Sequence, residues 1–411
     1  MREGTLKAAD ADSAATPPVG AFTVFVAFLR LGLTSFGGPV AHIGFFRDAF
    51  VARRRWIGER AYADLVALCQ FLPGPASSQV GMGIGLLKAG IPGALAAWAG
   101  FTLPSAILMI AAAYGVLAIG GDEPGWLAGL KIAAVAVVAQ AVIGMTRSHA
   151  SDIPRIAILV AGAAIAIAWP AAAGQIAAIL AGAIGGFFLK PDAADASDSF
   201  RLPKEMPKPV AIGALALFGV LLVALPALAA TIFRTPEVMI ADASYRAGAL
   251  VFGGGHVVLP LLESAMVVPG WVSENAFLAG YGIAQAVPGP LFSFGAYLGA
   301  AMEFGPGGGA GAVLVLTMLF LPSFLLVVGV FPFWDGLRRK PQVRRVLAGV
   351  NAAVVGLLLA ALWDPVIVSG IHRPLDAVLA LAALAALMLL RMPPWLVVAA
   401  CAAAGAGVAA L

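Results

Sequence analysis

This chain of 411 residues is short of charge. Asp, Glu, Lys and Arg make up 11% of it against 61% hydrophobic residues, and stretches such as Ile91–Gly121 and Met392–Leu411 carry none. So few polar side chains cannot clothe soluble domains of this length, which leaves a polytopic all-α membrane protein. Cysteine is scarcer still: the two present, Cys69 and Cys401, both lie in apolar segments. That argues against a disulfide framework or a metal site. No Gly-x-x-x-x-Gly-Lys-Ser/Thr loop occurs, and no soluble domain to hold one, which argues against an ATP-driven pump in one chain. No His-Glu-x-x-His and no nucleophile with its base nominates an enzyme, and no cofactor is implied. The net charge of +4 belongs to the loops and gives no sign of nucleic acid.

What is present is apolar sequence in spans. At roughly 17 to 25 residues per crossing, thirteen membrane segments are expected near 22–46, 61–87, 92–119, 125–146, 154–170, 172–189, 209–233, 245–268, 275–300, 308–334, 346–363, 374–391 and 393–411. Residues 1–20 lack the basic region and cleavage site of a secretory signal and read as a disordered cytoplasmic tail. Residues 190–208, rich in Asp and Pro, read as a cytoplasmic linker.

The two sides of that linker repeat each other. Arg30, Gly32, Phe36, Gly37 and Gly38 stand 216 positions before Arg246, Gly248, Phe252, Gly253 and Gly254. Trp56, Glu59, Gln70, Pro73, Gly74, Pro75 and Ser78 stand 215 positions before Trp271, Glu274, Gln285, Pro288, Gly289, Pro290 and Ser293. Further on, Pro104-Ser105 matches Pro322-Ser323, and Leu127-Ala128-Gly129 matches Leu347-Ala348-Gly349. A first repeat at 21–189 and a second at 245–411, joined by one unpaired helix at 209–233, have opposite orientations by parity. The expected architecture is therefore an inverted-topology repeat of two six-segment halves.

Orientation follows from Lys and Arg in short loops. Arg147 and Arg155, the linker, and the run Arg338 to Arg345 fall on the side of the N-terminus, taken as cytoplasmic, which places the C-terminus outside. Arg53, Arg54 and Arg55 violate simple alternation unless the first two segments re-enter. Gly37-Gly38-Pro39 and Pro73-Gly74-Pro75 supply the breaks for four re-entrant hairpins, two in each half.

Helix breaks at membrane depth are tolerated where they line a polar cavity. In each Pro-Gly-Pro the second proline, Pro75 or Pro290, suits the first position of a new half-helix. The free N–H groups of the next turn, at Ser77 and Ser78 or near Ser293, would then face an anion. Gly37, Gly38, Gly253 and Gly254 permit close backbone approach. Arg30 and Arg246 form a symmetric pair of cations whose forks suit an oxyanion, and Gln70 and Gln285 are neutral donors. Each has a structural alternative: kinks for helix packing, snorkelling arginines, a helix-to-helix hydrogen bond.

Acids that could carry protons are confined to the ends of the broken segments: Glu59, Asp64 and Glu274, with Glu263 and Glu303 beside them. Glu59 and Glu274 read equally as helix-start carboxylates. His42 and His256 flank the glycine-rich breaks but do not align with each other, and neither makes a metal site.

At these residues the sequence resembles the chromate ion transporter family. The matching features are Phe28 to Pro39 (FLRLGLTSFGGP), the basic run to Trp56-Ile57, Gln70-Phe71-Leu72-Pro73-Gly74-Pro75 and their repeats. The resemblance covers about Phe22 to the C-terminus and matches the long, two-domain form. It implies efflux of chromate across the bacterial inner membrane, chromate resistance, and sulfate as a competitor. The remaining expected partner is membrane lipid, with homodimerisation left open. Among transporters a sulfate or other oxyanion permease is the alternative; outside them, a non-transporting membrane protein.

Overall fold

The computed structural model describes residues 19–119, 125–190, 206–231, 234–338 and 340–409. Most of the expected tail and linker therefore lies outside the described residues. Among those residues the chain is all helix, with no strand. Apart from the short helices Trp334–Arg338 and Val368–Gly370, the helices in order are α1 (Ala21–Thr34), α2 (Gly38–Phe46), α3 (Glu59–Phe71), α4 (Ala76–Ile119), α5 (Gly125–His149), α6 (Ile153–Ala168), α7 (Ala172–Phe187) and α8 (Lys208–Ala229). They continue with α9 (Pro236–Ala249), α10 (Val258–Leu262), α11 (Glu274–Ala286), α12 (Phe294–Ala301), α13 (Gly308–Val330), α14 (Pro341–Ala361), α15 (Pro374–Met388) and α16 (Pro394–Ala409).

Five stretches, 76–118, 125–149, 208–229, 308–333 and 341–370, are long and apolar enough to cross a membrane. The chain is a multi-pass membrane protein. The other apolar helices are shorter because glycine and proline cut them. The segment expected at 22–46 is two helices, since Gly37 (φ 102°) and Gly38 (φ 80°) take left-handed backbone that other residues rarely adopt. In the second half Gly253 (φ 76°) and Gly254 (φ 150°) part α9 from α10 in the same way. Both α2 and α10 then run into a wide π-turn, at Arg47–Arg53 and Glu263–Val267. Helix α4 is bent where Ala89 and Gly90 leave helical backbone.

Small residues set the packing, as expected where lipid gives helices no hydrophobic reason to associate. A Cβ on Gly32 of α1 would stand 2.7 Å from the carbonyls of Gly100 and Phe101 on α4. Gly248 of α9 presses against the Leu319 carbonyl of α13. Further along, the partners are exchanged between the halves. Helix α5 packs on α15 and α16, with Gly129 against the Cys401 carbonyl, whereas α14 packs on α6 and α7, with Gly349 against Gly182. Each half thus lends its last two helices to the other.

Candidate functional site

The four breaks meet at the centre of the molecule. Pro73 and Pro288 hold the preceding residues, Leu72 and Val287, in extended backbone with ψ of 147° and 138°. The glycine that follows then turns through positive φ, 124° at Gly74 and 101° at Gly289. Each turned glycine reaches across to the other half. The Gly74 N–H donates to the Val251 carbonyl at 2.6 Å, and the Gly289 N–H donates to the Ser35 carbonyl at 2.9 Å. Ser35 and Val251 are themselves 216 positions apart, directly before the glycine-rich breaks. The serines of the two Pro-Ser pairs close the joint, with Ser323 against Gly74 and Ser105 against Gly289.

Helix starts differ slightly from the sequence expectation. Pro75 and Pro290 stand at the cap, one residue before the helix, so each carbonyl takes an early helical bond, from Gln79 N–H at 2.9 Å and Ser293 N–H at 3.0 Å. The amides of Ala76, Ser77 and Ser78 in the first half, and of Leu291 and Phe292 in the second, are left without intrahelical acceptors at the start of the turn. The surroundings of the prolines differ too. Gln79, fully buried, donates Nε2 to the Pro73 carbonyl at 2.7 Å, and Ser293 donates Oγ to the Pro290 carbonyl at 2.8 Å.

Two chambers flank this joint. The larger, about 590 Å³, is lined by Gly37, Gly38, Gln70, Gly74, Gly253, Gly254 and the α5 face from Gln140 to His149. A smaller chamber, about 390 Å³, is lined by Gly37, Gly38, Gln285, Gly289 and Arg391, and both share Gln140 and His256. Both volumes fall in the usual range for small-ligand sites, roughly 300–1,000 Å³. Neither lining contains an Asp or a Glu.

Of the residues singled out by sequence, the glycines and both glutamines line these chambers, and Gln285 Nε2 is buried with no partner. The prolines Pro73, Pro75, Pro288 and Pro290 shape the turns from outside the linings. Ser77 Oγ lies 3.4 Å from His42 Nδ1, while Ser78 Oγ is buried with no hydrogen bond. The arginines are elsewhere. Arg30 is exposed on α1, and Arg246 is held by Asp242 through bonds of 2.7 and 2.5 Å beside a separate cavity of about 210 Å³.

The acids also lie away from the chambers. Glu59 binds Arg47 at 2.6 Å on the surface, and holds that guanidinium above its ordinary range. Asp64 is half-buried on α3, and Glu274 accepts from the Ser369 hydroxyl. Among the described residues no group of His, Cys, Asp and Glu could hold a metal ion.

Sequence reasoning missed Gln140, His149 and Arg391. His149 hydrogen-bonds the backbone of Gly253, and His256 Nδ1 lies 2.8 Å from the Tyr281 hydroxyl. The signal for Gln140 was available, because it and Lys131 are the polar residues inside an otherwise apolar stretch of α5.

No solved structure matches this chain. Among curated proteins, it is 30% identical to a chromate transport protein of Pseudomonas aeruginosa, over 87% of this chain and 84% of that one. A chromate transport protein of Cupriavidus metallidurans is 26% identical over 81% and 80%, and an uncharacterized transporter of Methanocaldococcus jannaschii 25% over 83% of each. The chromate transporter profile matches twice, at residues 22–187 and 238–406, and the chain belongs to that family.

Proposed function

We propose that the chain exports a tetrahedral divalent oxyanion, chromate first among them and sulfate as its competitor, from the bacterial cytoplasm, and so gives chromate resistance. One observation carries the reading. The breaks of the two halves are tied across the centre by Gly74 to Val251 and Gly289 to Ser35, beside chambers whose linings have hydrogen-bond donors and no carboxylate. Amides at the half-helix starts, with Gln70 and Gln285, are the donors we assign to the anion; Ser77, Ser78 and Ser293 support those turns. The names of the Pseudomonas and Cupriavidus relatives support chromate as substrate.

We read the two halves as an inverted-topology repeat. Its support is the matched order of breaks, π-turns and glycine contacts, and the reciprocal exchange of the last two helices. On that reading the protein sits in the inner membrane, N-terminus cytoplasmic and C-terminus outside, and the central site is exposed alternately to the two sides. An inside-negative potential contributes roughly 2.3 kcal/mol per charge per 100 mV. About twice that favours export of a dianion, so proton exchange is an addition rather than a need. If protons are exchanged, the group around Glu274 is the place for it, since Glu263, Asp364 and Lys131 are its electrostatic neighbours.

The experiment is flux of chromate in proteoliposomes of the purified chain, with sulfate as competitor. Saturable chromate movement inhibited by sulfate is expected. A well-folded, inserted chain that moves neither anion would favour a non-transporting role.

A further inference from the structure

An anion site at this depth needs positive charge, and the two arginines matched between the halves do not line it. Helices α15 and α16 bring one that does. Helix α16 runs back along α5 with Gly405 against Gly125 and Gly129, and Cys401 against Gly129. Followed toward its start, it meets α5 at Val137 and Gln140, which share the smaller chamber with Arg391, Met392, Pro393 and Pro394. Gln140 lies eleven residues beyond Gly129 and nine before His149. At 1.5 Å per residue this is about 16 and 14 Å along the helix. The turn between α15 and α16 therefore stops near the middle of α5, at the level of the breaks.

The local sequence explains the turn. Pro393-Pro394 cannot continue α15, and Leu389 and Met392 N–H groups close the helix end on the carbonyls of Ala385 and Ala386 at 2.8 and 3.0 Å. Arg391 sits at φ 53°, left-handed backbone that glycine or asparagine occupies at less cost. The matching turn between α6 and α7, Trp169-Pro170-Ala171, has no basic residue. Across both chambers Arg391 is the single Lys or Arg in the lining. Its guanidinium has no hydrogen-bond or ion-pair partner among the described residues. The same lining includes Gln285, whose Nε2 is buried and unpartnered.

We infer that Arg391 is the charged ligand of the transported anion, acting with Gln285 from the smaller chamber. Arg391 is exposed beside the chamber rather than packed into protein, and its planar fork matches two oxygens of a tetrahedral oxyanion. The inference deepens the oxyanion reading above and rests on it.

The test uses the full chain in lipid nanodiscs, with sulfate binding as readout because sulfate does not oxidise thiols. Arg391→Gln is expected to weaken sulfate binding roughly ten- to hundredfold, the span for a lost hydrogen bond to a charged group, with Arg391→Lys between it and the native chain. Arg30→Gln is expected to leave binding within about twofold, as for a charge outside the lining. A second readout keeps Arg391 in place. Met392→Cys, in a Cys69→Ala, Cys401→Ala background, is expected to react with a thiol reagent more slowly when sulfate is present. Sulfate binding that survives Arg391→Gln unchanged, with no protection at Met392→Cys, overturns the role of Arg391 and leaves the oxyanion reading standing. No binding of sulfate or chromate by the native chain overturns both.

Discussion

The two halves of this protein share a backbone and differ in charge. Both break their first helix at a pair of left-handed glycines, follow with a π-turn, and break again at a Pro-Gly-Pro whose glycine bonds to the opposite half. Yet Arg47, at the start of the first π-turn, pairs with Glu59, while the matching positions in the second half are Glu263 and Glu274. There the compensating cation comes from α5, where buried Lys131 donates to Asn275 Oδ1 at 2.7 Å and acts electrostatically on Glu274. The difference teaches that the breaks demand particular residues because no other backbone makes them. Charges need only be balanced by some neighbour.

The comparison breaks most severely at the crossed glycines. Gly74→Ala and Gly289→Ala each force a side chain onto left-handed backbone, costing about 1–3 kcal/mol before any clash. Their surroundings then set them apart. A Cβ at Gly289 would lie 2.8 Å from Ser105 Oγ, whereas one at Gly74 would meet both Ser323 Oγ and, at 2.6 Å, Gln79 Nε2. Both variants are expected to lose transport. Ser105→Gly is expected to restore part of it to Gly289→Ala, and Ser323→Gly to restore little to Gly74→Ala, as flux assays in paired variants will show. Equal rescue in the two halves would contradict this packing.

Next in size is Lys131→Met, which takes the hydrogen bond from Asn275 and the cation from Glu274. Thermal unfolding should record a loss of about 2–3 kcal/mol, partly recovered by adding Glu274→Gln. No recovery would mean that Lys131 acts through packing alone.

Smaller still is the contrast at the prolines. Gln79→Leu should cost about 1–3 kcal/mol and Ser293→Ala about 1 kcal/mol or less, because Gln79 is fully buried and spans a longer loop to its carbonyl. Denaturation of the two variants side by side gives the order. The least effect is expected from Arg47→Gln, which removes an exposed ion pair; its unfolding should match the native chain once salt is raised.

Much of this was legible in the sequence because the breaks are written in glycine and proline. Gly37-Gly38 and the two Pro-Gly-Pro turns fall where the spacing put them, since positive φ and the residue-before-proline rule act locally. The cross-braces were not legible: Ser35 and Val251 are matched by position but share no chemistry, and a carbonyl acceptor leaves no mark on residue type. The ion pair that holds Arg246 went unread although the spacing carries it, since Asp242 stands four residues earlier on α9, one helical turn away. Arg391 ends one apolar segment and stands two residues before the next, and nothing in that local sequence marks it as part of a site. Only the exchange of α15 and α16 onto α5, which depends on Gly129 and Gly405, sets the depth of that loop.

The central claim, that the tied breaks carry a divalent oxyanion out of the cell, is tested most directly by chromate uptake into everted membrane vesicles at an imposed interior-positive potential and no pH gradient. The account predicts saturable uptake that rises with the potential, falls with excess sulfate, and is lost in Gly289→Ala. Vesicles that hold the inserted native chain and take up neither chromate nor sulfate at any potential would contradict it.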